Sequence, residues 1–307
     1  MRITDLSFMQ GYIRMATDGA NMGWHERNGG NLTYRLTAEE AEAAAPYMTF
    51  DKPWEDIGVA VPNLGGAFFL ATGSGKFLRN VCLAPQDNLC IAQLNEAGTQ
   101  YRIVWGLEQG GRPTSEFPSH LMNHSVKFDV TGGKHRVIYH AHTPAVIALT
   151  NVLELDDIVW TRALWSAMTE CAVVFPGGVG VLPWMVCGGA EIAKATSELM
   201  KQYDVAIWAF HGTFASGESF DTTFGLMHCV EKAADIYLRI LSAGGAKQTM
   251  TTENFVAIAA LFGLTLPEKF LQDCPAAAPA RDFSGFFLDF PRAVLYHNKV
   301  GFSSPLR

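Results

Sequence analysis

Charge is scarce in this sequence. Asp, Glu, Lys and Arg make up 17% of its 307 residues, against about 25% in an average domain. Acidic residues outnumber basic ones, for a formal net charge of −7. That balance argues against nucleic acid or an anionic membrane surface as the main partner. Cysteine is sparse and scattered, at Cys82, Cys90, Cys171, Cys187, Cys229 and Cys274. No two form a C-x-x-C pair, which excludes a zinc-finger or deaminase-type site, and they read as reduced core thiols of an intracellular protein. There is no H-E-x-x-H string, so a zincin protease is excluded. No apolar run follows Met1-Arg2-Ile3-Thr4-Asp5, so no signal peptide is expected. The longest stretch without charge, Cys171 to Ala190, is broken by Pro176, Pro183 and five glycines. A membrane span of about 20 residues would not be interrupted in this way. The stretch reads as two short buried strands joined by turns, one of them Ala172–Phe175, and a soluble cytoplasmic protein is expected.

What is present is apolar. The hydrophobic fraction is 49%, enough for a full core and too much for disorder. A surface this poor in charge points to burial against other subunits. Strand and helix patterns interleave along the whole chain, which indicates an α/β layered domain. Leu6, Met9, Ile13, Ala16 and Ala20 have helical spacing, with Thr4 or Asp5 as the expected N-cap. Strands are expected near 32–36, 67–71, 89–94, 101–105, 136–142 and 205–210. Helices are expected near 38–45, 115–128, 144–153, 157–168, 189–202, 221–242 and 252–262. The hairpin-length link Asn95-Glu96-Ala97-Gly98 makes the sheet at least partly antiparallel. Beyond Gln272 the composition changes to a linker followed by Phe283, Phe286, Phe287, Phe290, Tyr296 and Phe302 without clear period.

The strongest chemical signal is His140-Ala141-His142 at the end of a predicted strand. Residues i and i+2 share a face there, so two imidazoles can hold one metal ion. Two hydrogen-bonded histidines without special role would have the same spacing. His211 follows another predicted strand and precedes Gly212, well placed to face a cleft. Three histidines with one open position are the pattern of a catalytic zinc site. Glu116 in Thr114-Ser115-Glu116 sits where a helix is predicted to begin, as a site carboxylate or as part of a cap. Three Gly/Ser/Asn turns, Asn28-Gly29-Gly30-Asn31, Thr72-Gly73-Ser74-Gly75-Lys76 and Thr114-Ser115, offer N–H groups and hydroxyls to an anion. Together with a metal site they suggest a phosphorylated substrate without a nucleotide. Glu170, in Thr169-Glu170-Cys171, reads from the residues alone as solvated surface. His25, His120, His124, His135, His228 and His297 show no partner pattern.

These strings, with Pro113-Thr114-Ser115-Glu116 and Phe210-His211-Gly212, resemble the class II aldolase family in order and spacing. The resemblance covers roughly residues 5–265 and is patchy at 38–66. It implies a single α/β/α layered domain with a central, largely antiparallel sheet over residues 1–271, and leaves 272–307 as a C-terminal extension of unknown role. It implies Zn²⁺ held by His140, His142 and His211, which would spread a carbanion's charge as an enediolate. Glu116 would be the general base, able to ligate the metal when substrate is absent. Asn28, Gly29, Asn31, Ser74, Gly75, Thr114 and Ser115 would line the phosphate and substrate pocket. The family also implies a four-fold symmetric homotetramer, in which Glu170 would reach the neighbouring subunit's site. The substrate would be a small sugar phosphate. Thr161-Arg162 with Leu164-Trp165, Thr169-Glu170-Cys171 and Leu182-Pro183-Trp184 resemble one ketose-1-phosphate aldolase branch. A fuculose-phosphate aldolase or a pentulose-phosphate 4-epimerase is the alternative. Non-catalytic adducin-type heads share the fold and would be expected to lack the histidine set.

Overall fold

The computed structural model describes residues 2–272. The extension expected over 272–307 therefore lies outside the described residues, apart from Gln272. The strands are β1 (Asn31–Arg35), β2 (Glu55–Asp56), β3 (Phe68–Thr72), β4 (Leu89–Leu94), β5 (Gln100–Gly106), β6 (Val137–Ala141), β7 (Gly180–Leu182), β8 (Val205–Trp208) and β9 (Gly212–Gly217). They form one sheet in the order β2-β5-β4-β3-β1-β6-β9-β8-β7. Every pairing is antiparallel except β7 with β8. The helices are α1 (Ser7–Asn21), α2 (Ala38–Ala44), α3 (Pro85–Asn88), α4 (Phe117–Thr131), α5 (Pro144–Leu149), α6 (Asp157–Ala167), α7 (Cys171–Val174), α8 (Ala190–Leu199), α9 (Phe220–Ser242) and α10 (Thr252–Phe262).

Alternation along β6 sorts the two faces of the sheet. Val137, Tyr139 and Ala141 join the core built with α1, α5, α6 and α9. Ile138 turns the other way, into a cluster with Ile192 of α8, Ala206, Trp208 and Phe214. Phe117 and Leu121 of α4 cover the same side further along, on Phe69, Ala71, Cys90 and Ala92. Helices thus cover both faces, and the expected α/β/α layering with a largely antiparallel sheet is what the chain adopts. His140 shares the face of Ile138, the one on which α4 packs.

Local chemistry fixes the helix ends. Thr37 and Glu40 form a capping box at α2, as Ser219 and Thr222 do at α9. Gly132 closes α4 in the left-handed region at φ 62°. Two expectations are corrected. Asp5 does not cap α1: it accepts from the Arg2 N–H at 2.7 Å and closes a separate 3₁₀ turn, so α1 starts after Leu6. Residues 172–175 are not a strand. Val173 and Val174 both donate their N–H to the Glu170 carbonyl, at 3.0 and 2.8 Å, winding one helical turn that buries Cys171 and Ala172. Pro176 follows and the turn stops. The charge-free stretch supplies only the three-residue β7, and leaves Trp184 and Val186 exposed.

Candidate metal centre and active site

The register of the sheet brings the site together. Asn31 of β1 lies opposite His140 of β6, and Ala141 lies opposite Thr213 of β9. His211 sits in the tight link between β8 and β9, where Trp208 pairs with Gly212. That link passes so close to β6 that a Cβ on Gly212 would lie 2.3 Å from the Ala141 carbonyl oxygen. Only glycine fits there, so His211 is delivered beside His140. The ligand atoms of His140, His142 and His211 lie within 4.8 Å of one another.

The donor set fits a metal ion. His140 Nδ1 donates to the Thr213 carbonyl at 3.1 Å, which leaves Nε2 as the lone-pair nitrogen. That Nε2 is 3.3 Å from His211 Nε2. A tetrahedral zinc ion with Zn–N of about 2.0–2.1 Å separates its ligand atoms by about 3.3–3.4 Å. His142 Nδ1 meets the Glu26 carboxylate at 2.5 Å, which frees its Nε2 in the same way. Burial pushes the His140 imidazole well below its ordinary pKa and lowers that of His211, with neighbouring imidazoles adding to both. The rings of His140 and His211 are therefore neutral, as metal ligands must be. Burial is the largest single influence on the Glu26 carboxyl and would raise it, but the hydrogen bond from His142, a backbone N–H and the two nearby imidazoles together hold Glu26 below its ordinary value. Gly29 closes this corner: a Cβ there would sit 2.8 Å from His142 Cε1.

Glu116 is the residue before α4, almost wholly buried, and its side chain caps no N–H. Its carboxylate instead accepts from Asn31 Nδ2 at 2.9 Å. A carboxylate only accepts, so the Asn31 amide is fixed with its oxygen pointing away, and that Oδ1 is buried without a partner among the described residues. Two residues on, Thr33 Oγ1 meets His120 Nδ1 at 2.8 Å and His124 Nε2 at 2.9 Å. Asn31 and Thr33 of β1 thus grip Glu116, just before α4, and positions 120 and 124 on one face of that helix. Burial pushes His120 down to about 3 and His124 well below its ordinary value, so both rings are neutral.

The second and third turns are stitched together. Ser74 donates its N–H to Arg112 at 2.9 Å, Thr114 donates to Thr72 at 2.8 Å, and Gly73 bridges Pro113. Among the described residues the N–H groups of Gly75 and Ser115 and the hydroxyls of Ser74 and Ser115 have no hydrogen-bond partner. These donors remain unspent on the chain's own hydrogen bonds, and Ser115 directly precedes Glu116. Thr114 is buried and accepts from the Glu116 N–H at 3.3 Å. Asn28 is exposed in the loop before Gly29. Glu170 is exposed at the start of α7, and among the described residues no hydrogen bond links it to the three histidines. Within one chain, then, every candidate except Glu170 falls on the elements around β1, β6 and α4. The sequence reading missed the supports: Thr213, Thr33, His120 and His124, and the role of Glu26. Their partners lie 70 or more residues away, beyond the reach of spacing arguments.

A family model described as class II aldolase and adducin N-terminal domain matches residues 12–238. The chain belongs to that family. It is 46% identical over 268 residues to a rhamnulose-1-phosphate aldolase of Pectobacterium atrosepticum, covering 86% of this chain and 97% of that one. The identity is also 46% to the enzyme of the same name from Mannheimia succiniciproducens, over 84% of this chain and 95% of the relative. Among solved structures, a sugar-phosphate aldolase from Thermotoga maritima superposes with a TM-score of 0.66 at 27% identity, over 78% of this chain and 98% of the other. Family and relatives together make the chain an aldolase, a carbon–carbon lyase of a metal-dependent family. No helix of the described residues is long and apolar enough to cross a membrane.

Proposed function

We propose that this chain cleaves L-rhamnulose 1-phosphate reversibly to dihydroxyacetone phosphate and L-lactaldehyde, in cytoplasmic L-rhamnose breakdown, with Zn²⁺ as its metal. The observation that carries this reading is the grouping of three imidazoles within 4.8 Å of one another, with a buried carboxylate held by Asn31, which lies opposite His140 in the sheet. The curated relatives' names supply the particular ketose.

Breaking the C3–C4 bond leaves a carbanion beside a carbonyl. His140, His142 and His211 would hold the zinc ion, which supplies Lewis-acid stabilisation of that charge when bound. Glu116 takes and returns the proton on the dihydroxyacetone phosphate carbon, held for the task by Asn31. Gly75, Ser115, Ser74 and Thr114, with Asn28, Gly29 and Asn31, line the pocket for phosphate and ketose. Lys76 is near the phosphate. Because the phosphate is remote from the reacting bond, its binding energy positions the substrate. Glu170, from a neighbouring subunit of a homotetramer, accepts the C4 hydroxyl proton as the bond breaks.

The test is a cleavage assay with rhamnulose 1-phosphate, fuculose 1-phosphate and ribulose 5-phosphate, alongside elemental analysis. Rhamnulose 1-phosphate should be the best substrate, with one zinc per chain. Equal or better turnover of another ketose phosphate, or 4-epimerisation without cleavage, would overturn the substrate assignment.

A further inference from the structure

Three non-glycine residues of the described chain have positive φ: Arg27, Leu107 and Phe210. Arg27 is an exposed polar turn residue, and Leu107 is buried in the core that contains Phe117. Phe210, at φ 61°, is different, because its side chain is 52% exposed. A bulky side chain in the left-handed region is strained, and glycine would relieve the strain. Burial on this chain does not account for phenylalanine there. Strain of this kind, next to a ligand-bearing residue, points to function.

The position is enforced. Phe210 donates its N–H to Thr150 Oγ1 at 3.1 Å, just beyond the end of α5. The outer side of α5 offers Pro144, Ile147 and Ala148, which line a cleft of about 520 Å³ together with Phe210. His142 and His211 also line this cleft, and Gly23 and Glu26 complete it. A molecule held at the histidines therefore runs along an apolar wall. The groups assigned to the phosphate half, Ser74, Gly75, Thr114, Ser115 and Glu116, do not line this cleft. It is left for the other half of the substrate.

We propose that Phe210, with Pro144, Ile147 and Ala148, forms the subsite for the aldehyde half of the ketose phosphate, and selects a terminal methyl over a terminal hydroxymethyl. This rests on the reading of the chain as an aldolase that releases lactaldehyde. A methyl group on these side chains leaves no polar group unpaired. A hydroxymethyl would lose its water without gaining a partner from them.

The experiment runs the reaction in the direction of condensation. Dihydroxyacetone phosphate is offered with L-lactaldehyde or with L-glyceraldehyde, and kcat/KM is compared for the wild type, Phe210→Gly and Phe210→Asn. Both substitutions suit the left-handed backbone, so the fold is retained. The wild type should prefer lactaldehyde, and each variant should lose about tenfold of that preference through a higher lactaldehyde KM. Solvent deuterium exchange into dihydroxyacetone phosphate without aldehyde reads only the metal and Glu116, and its loss should be far smaller. An unchanged preference would overturn the proposal. So would exchange and condensation falling in parallel, since Phe210 would then act through His211. A changed oligomeric state with preference intact would make this face a contact between copies and also overturn it. Absence of exchange in the wild type would remove the proposed function itself, a different failure.

Discussion

Gly29 is confined by the ring beside it. A Cβ at this position would lie 2.8 Å from His142 Cε1 and 3.0 Å from the Glu26 carbonyl oxygen, so the imidazole has to move. Gly29→Ala should lower metal affinity by about tenfold or more, as loss of a ligand's support does, measured by chelator competition on the metal-free protein. Glu116→Gln keeps the shape and the hydrogen-bonding reach of the side chain but removes the base. Cleavage should fall by about 10²–10⁴-fold with metal content unchanged. A variant with wild-type turnover would place the base elsewhere. Acid should weaken the fold through its buried histidines. Burial pushes His25 down to about 4 and His120 to about 3, from an ordinary 6.5. Both stay neutral in the folded chain while the unfolded chain takes up protons below about pH 6.5. Stability is then full above that pH and is lost as pH falls toward 4 and 3, by about 3 kcal/mol for His25 alone. A Tm measured from pH 8 to pH 4 should be flat at first and then decline below about 6.5. At this scale the sequence exposed what period can expose. His140 and His142 share a strand face two residues apart, and His211-Gly212 marks a strand end. Thr213 and Thr33 gave no signal, because a threonine in a strand looks the same whether or not it supports an imidazole.

Elements position these residues, and α5 shows how. It begins two residues after His142, and its N-cap residue Thr143 spends its hydroxyl on Thr213 at 2.6 Å rather than on its own helix. The first N–H groups of α5 are satisfied from another element. Glu231 of α9, buried, accepts from Ala145 and Val146 at 2.8 and 2.9 Å. Glu231→Ala would leave two buried donors unpaired at about 1–3 kcal/mol each, and should lower Tm by several degrees. Because α5 adjoins His142, metal affinity should weaken as well; a fall in Tm with unchanged affinity would uncouple the helix from the ligand. Long periodic elements were legible, α9 to within a residue at its start and α4 to within three at its end. The turn α7 was not. Its Ala-Val-Val-Phe run has strand composition, yet it winds, with two N–H groups on the Glu170 backbone carbonyl and Cys171 buried in the core that contains α9.

At the scale of the whole molecule, the proposal is one of shared sites. Dialysis against a chelator should abolish cleavage, and Zn²⁺ should restore it; full activity in metal-free protein would end the metal reading. If Glu170 serves a neighbour, Glu116→Ala and Glu170→Ala are inactive separately but not together. Random mixed tetramers would hold an intact pair at about a quarter of their sites, and activity should return to that level. No recovery from verified hybrids would return Glu170 to its own chain's surface. Quaternary arrangement was only hinted at by the low charge, since composition does not say which face is covered. The order of the sheet carries one more consequence. β1 has four strands on either side of it, and the three histidines lie along its neighbour β6 and the next strand β9, while the edges are a two-residue and a three-residue strand. The edges can fray without disturbing the histidines. In amide hydrogen exchange, β2 and β7 should exchange early. The backbone of residues 31–33, 138–141 and 213–215 should exchange only when the whole domain opens, so that an intact site and a folded domain are lost at the same moment.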